Sequence, residues 1–142
     1  QEQVATPWRQ RYAYAQAARK DLQALEEKAL QQPLTTEEAW NRAHWTAEFR
    51  ETEAAIALFR EFLSARPQHA AANYTLGKIL LQQHDPTGID YLERAMMADT
   101  DNIMSACELI YSFAIQKGDK QTARVYEQRA GQHYRLLLQA RE

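Results

Sequence analysis

At 142 residues, with a formal net charge of −2 and 25% charged side chains, the chain is sized for one domain that removes about two thirds of its surface from water. The balanced charge argues against a nucleic-acid footprint, which needs a concentrated basic face. One cysteine, Cys107, excludes an intrachain disulfide framework, and no apolar run nears the roughly 18 residues of a membrane span.

Thr6-Pro7-Trp8 reads as a helix start, a capping hydroxyl followed by Pro in the first turn. The periodicity then predicts a helix to about Leu30, with Trp8, Tyr12, Ala15, Leu22, Leu25 and Ala29 as its apolar side. Arg9, Arg11, Arg19 and Lys20 precede Asp21, Glu26 and Glu27, an order that opposes the helix macrodipole. Packing, not charge, has to hold this helix. Gln31-Gln32-Pro33 ends it. Thr35 and Glu38 stand at capping-box spacing and open a helix through Trp40, Ala43 and Ala47 to about Arg50. After a turn at Glu51-Thr52, Ala55, Ile56, Phe59, Phe62 and Leu63 mark a further helix to Pro67.

From His69, Ala72, Leu76, Ile79 and Leu80 share one helical face. Asp85-Pro86 breaks the chain, Asp as a cap and Pro in a first turn, before Ile89, Leu92, Ala95 and Met96 repeat the period. A helical Gly costs about 1 kcal/mol relative to Ala, so Gly77 needs a packing reason. The expected one is close approach of the next helix at Gly88 or Ala95. Ala106, Leu109, Ile110 and Phe113 face inward on the following helix, Gly118-Asp119 forms a turn, and a last helix runs through Tyr134 and Leu136 to Leu138 almost to Glu142. Every Pro falls at a helix boundary and alternating β-branched runs are absent. The expected class is all-α.

Tyr74, Leu76-Gly77, Asp85, Gly88 and Ala95 together resemble a tetratricopeptide (TPR) repeat, and Pro33 and Pro67 lie one 34-residue TPR period apart. Ala55, Phe59 and Pro67 match a first repeat, whose Leu-Gly position carries Arg42-Ala43; Ala123, Ala130 and the Gly118-Asp119 turn match a third. Phe62, where the family has Ala, should widen its helix crossing. The resemblance implies a right-handed α-solenoid of three TPR-like helix pairs (36–68, 69–101, 102–142). A long amino-terminal helix and linker (1–35) precede them, a long carboxyl-terminal capping helix closes them, and all form one domain.

It further implies a concave groove lined by the first helix of each repeat. Carried across, the groove positions are Glu37, Trp40, His44 and Glu48; Ala71, Tyr74, Lys78, Leu81 and Gln82; and Met104, Cys107, Tyr111 and Ile115. Glu37, Trp40, His44, Tyr74, Lys78, Leu81 and Tyr111 are the expected contacts to a peptide or partner domain, which the amino-terminal helix could instead occupy. The family's clamp for acidic carboxyl-terminal tails is not matched, because Trp40, His44 and Thr75 stand where it needs Lys and Asn.

His44, His69, His84 and His133 share no ligand spacing, the glycines are isolated, and Cys107 has no His near it in sequence. No catalytic residue, metal or cofactor is expected, and Cys107 is expected to be a buried inert thiol. The Arg/Gln/Ala-rich helix from Trp8 with degenerate repeats is also similar to carboxyl-terminal regions of bacterial membrane zinc peptidases. That implies an accessory domain whose catalytic part lies elsewhere. The start at Gln1 points to a fragment, cytoplasmic or membrane-associated through a missing region. A homo-oligomer through the last helix at Leu137 is a third expectation.

Overall fold

The sequence punctuation places most helix ends in a computed structural model that describes residues Thr6 to Arg141. The start at Gln1 and the end at Glu142 lie outside the described residues. Among the described residues the elements are seven α-helices and one 3₁₀ turn, Thr100–Asn102, with no strand. The protein is all-α. No helix among them is long and apolar enough to cross a membrane. Two units, Gln1–Phe62 and Leu63–Glu142, divide the chain inside its third helix.

The first unit holds α1 (Pro7–Ala29), α2 (Thr36–Phe49) and most of α3 (Thr52–Ala65). Thr6 takes the N-cap position of α1 in extended backbone but makes no side-chain cap bond. Trp8 and Tyr12, expected on the packed side, are 60% and 59% exposed, and the first buried residue is Ala18. Burial therefore starts only where α1 meets α2. There Ala18 and Leu22 are buried, Lys28 pairs with Glu38, and Arg19 Cζ sits 5.1 Å over the Phe49 ring. α2 opens with a complete capping box: Thr35 Oγ1 accepts the Glu38 N–H at 3.2 Å, and Glu38 Oε1 accepts the Thr35 N–H at 2.9 Å. Trp40 closes this unit's core, its ring 5.8 Å from both Phe59 and Phe62.

The second unit holds α4 (Ala70–Gln82), α5 (Gly88–Ala98), α6 (Ile103–Gln116) and α7 (Lys120–Gln139). Its units of construction are two helix hairpins, α4 with α5 and α6 with α7, and α6 also packs on both α4 and α5. Leu81, Leu92, Met96, Ala106, Cys107, Ile110 and Phe113 form one core. The packing reason for Gly77 is direct. A Cβ there would stand 2.8 Å from the Gly88 carbonyl oxygen, and one on Gly88 would stand 2.5 Å from that of Gly77. The two backbones meet at a distance that only glycine permits.

Both hairpins turn in the same way. His84 (φ 61°) and Gly118 (φ 73°) take the left-handed conformation just past α4 and α6. In each case the next N–H, Asp85 or Asp119, reaches back to Leu80 or Ala114 at 2.9 Å. Asp85 caps differently from expectation: its carboxylate accepts the Thr87 N–H (2.9 Å) and hydroxyl (2.7 Å), so Pro86 lies in a turn and α5 starts at Gly88. Asp119 caps α7 through the Thr122 N–H at 3.1 Å. The cap of α4 comes from an imidazole, His69 Nδ1 accepting the Ala72 N–H at 3.1 Å. α7 buries Ala123 in its first half, whereas Tyr134, Leu136, Leu137 and Leu138 are exposed.

Candidate protein-binding surfaces

The residues carried over from the repeat pattern separate into core and surface. In the first unit, Glu37 is exposed in the first turn of α2, where a carboxylate complements the helix dipole. His44 stacks on Trp40 (5.9 Å, 17° between planes) and its Nε2 lies 3.1 Å from Glu48 Oε1 one turn on. Trp40 itself is half-buried against Phe59 and Phe62, so its ring serves the unit's core.

In the second unit, Lys78 is exposed, and Tyr74 is half-buried against the core. Leu81 corrects the expectation: at 7% exposure it belongs to the core, not to a groove wall. The reason is Gly88. With no side chain there, the Leu81 isobutyl group falls into the space beside it. Cys107 is likewise buried, its Sγ 3.9 Å from Met96 Sδ, and burial pushes its thiol up from the ordinary range. That makes it an unreactive thiol. Tyr111, Met104 and Ile115 keep exposed surface.

Tyr111 and Met104 open onto a concavity of about 620 Å³ between α6 and α7. Met104, Cys107, Tyr111, Tyr126 and Ala130 line it, with Ser105, Glu108 and Glu127. Glu108 stands on the α6 wall and Glu127 on the α7 wall, both exposed, and among the described residues no Lys or Arg lines it. The concavity combines an apolar floor with a charged rim.

Behind the groove, Tyr126 is held in place by Glu93. The Tyr126 hydroxyl donates to Glu93 Oε1 at 2.7 Å, and Arg129 pairs with the same oxygen. Burial alone raises the Glu93 carboxyl, but the hydrogen bonds from Arg129 and Tyr126 outweigh it and hold the group below the ordinary range. Burial and the Glu93 hydrogen bond push the Tyr126 phenol well above its own range, so it remains a donor. Sequence reasoning missed this cluster, since Glu93 on α5 and Tyr126 on α7 lie 33 residues apart and only tertiary packing brings them together. Tyr126 at helical spacing from Ala130 was the one usable sign of the α7 wall.

The first unit has a second concavity of about 490 Å³ among α1, α2 and α3, with Arg50 paired to Glu26 at 3.1 Å. Arg42 Nε and Thr46 Oγ1 are buried there without hydrogen-bond partners. Among the described residues, no group of three or more His, Cys, Asp or Glu side chains could hold a metal ion. No protein-family model matches the chain, and no curated protein matches it significantly.

Proposed function

We propose that the chain is a non-catalytic protein-interaction module built from three TPR-like helix pairs of a right-handed solenoid, and that it takes a helical or extended protein segment on its surface. The observation that carries this reading is the α6/α7 groove: an open apolar trough with Tyr111 and Met104 at its lip and Glu108 and Glu127 on its walls. Aromatic and Met side chains in such a trough supply large contact area at low entropy cost. The acidic rim selects basic segments by steering their approach. The stacking of α6 on both α4 and α5 supports the repeat reading, because consecutive hairpins of a solenoid pack in that way.

Among the carried-over positions, Glu37, His44, Tyr74, Lys78 and Tyr111 are the proposed partner contacts. Leu81 is excluded by burial. The test is a selection of displayed peptide segments on the full chain, repeated on Tyr111→Ala and on Glu108→Arg. Basic amphipathic segments should be enriched, and should lose about tenfold in affinity for each variant, the loss expected of an interface anchor or a rim charge. Unchanged binding to both variants removes the groove from the account.

A further inference from the structure

The chain carries two surfaces left open, and they match. The first is the start of α1. Trp8, Tyr12 and Ala15 share one face at spacing i, i+4 and i+7, with Arg9 on one flank and Arg11 on the other. Both aromatic rings are mostly exposed, and α1 contributes no buried side chain before Ala18. Along this ridge Gln16 Nε2 donates to the Tyr12 hydroxyl at 2.9 Å, and Arg9 Cζ lies 5.4 Å from the Trp8 ring centroid. From Thr6 to Lys20 there are four cations and no carboxylate, and two of the four, Arg9 and Arg11, lie in the first two turns, toward the positive end of the helix dipole. That arrangement is unfavourable in isolation and is relieved by an acidic surface.

The second surface is the α6/α7 groove, with an apolar floor, Glu108 on one wall and Glu127 on the other. An aromatic ridge with an arginine on each flank complements an apolar trough with a glutamate on each wall. We infer that the occupant of the groove is the amino-terminal half of α1 from a second copy of this chain, Trp8 and Tyr12 seated in the trough and Arg9 and Arg11 facing Glu108 and Glu127. The interface joins unlike surfaces. Reciprocal exchange between two copies closes a dimer, and a head-to-tail arrangement builds longer chains. This inference rests on the proposed docking groove and names its occupant.

The experiment is sedimentation velocity of the full chain over a range of concentrations, for wild type, for Arg9→Glu/Arg11→Glu and for Glu108→Arg/Glu127→Arg. All four positions are exposed, so circular dichroism should show unchanged helix content. Wild type should self-associate, more weakly at high salt. Each double variant alone should associate about tenfold more weakly, as two reversed rim pairs require. An equimolar mixture of the two variants should form a mixed complex, because one then supplies an acidic ridge and the other a basic groove.

A monomeric wild type at high micromolar concentration overturns the inference. So does association that ignores either pair of reversals, or a mixture that gains nothing over its components. If wild type is monomeric while selected basic peptides still bind at Tyr111, the groove stands and only its assigned occupant falls. If those peptides also ignore Tyr111→Ala, the groove itself is lost.

Discussion

The α2/α3 pair and the α4/α5 pair fill their crossings with opposite materials. Between α2 and α3 the contact is made of rings, Trp40 against Phe59 and Phe62. Between α4 and α5 it is made of backbone, Gly77 against Gly88. Rings contribute burial, which is proportional to area and is lost by truncation. Glycine contact contributes proximity, which is lost by addition. The two crossings therefore fail under opposite substitutions, and mutation can separate them.

Phe59→Ala should have the largest effect, a loss of about 4 kcal/mol, since Phe59 is fully buried and its removal leaves a cavity beside Trp40. Gly77→Leu should cost about 3 kcal/mol by overpacking. Its Cβ alone would stand 2.7 Å from Leu92 Cγ and 2.8 Å from a backbone oxygen that has little room to move. Chemical denaturation of both variants checks the pair. A Gly77→Leu protein as stable as wild type would break the contrast, because the second crossing would then have slack. The smaller change Gly77→Ala sharpens it: destabilisation by a single methyl group is expected only where two backbones already touch.

The punctuation of these hairpins was the most legible part of the fold. Thr35 with Glu38, and Gly118 with Asp119, carry their chemistry in residue types that do little else at such spacings, and the structure uses both as read. The start of α5 was less legible. Asp85 has two nearby donors on Thr87, and the bonds it makes there delay the helix to Gly88. Leu81 was misplaced because a repeat template assigns it by position, while its burial depends on the missing side chain of Gly88. The exposure of Trp8, Tyr12 and Leu136 to Leu138 was not legible either. Apolar periodicity reports which face a helix would bury, and only tertiary packing decides whether anything is there to cover it.

The turns offer a smaller test in the direction of gain. His84 and Gly118 occupy the same left-handed position in equivalent turns, and a side chain with a Cβ costs about 1 kcal/mol there. His84→Gly should recover part of that, raising the stability of the second unit by up to about 1 kcal/mol. Thermal melting decides it. A loss of stability instead would mean that the imidazole makes a contact worth more than the backbone strain.

The caps of α2 and α4 extend the contrast to pH. Glu38 sits in the capping box of α2, and its hydrogen bonds from Lys28 and from the Thr35 N–H hold its carboxyl down, from 4.5 to about 2. A depressed carboxylate contributes stability above its unfolded value and loses it as pH falls through the folded one. The α2 cap should therefore survive to pH 4.5 and fail progressively toward pH 2. His69 behaves differently. Its Nδ1 must be unprotonated to accept the Ala72 N–H, and burial, assisted by the nearby Arg66 charge, lowers its value from 6.5. The neutral form is the one that folds, so stability is full above pH 6.5 and declines as the unfolded chain takes up a proton that the folded chain resists. Acidification from neutrality should loosen α4 first while α2 keeps its cap. Hydrogen exchange read residue by residue should show Ala72 and Asn73 losing protection in mildly acidic solution before Glu38 and Ala39 do. His69→Ser replaces the imidazole with a hydroxyl that caps at every pH. It should abolish the early loss and leave the Glu38 transition unchanged, and early loss that persists in this variant would place the sensitivity outside the α4 cap.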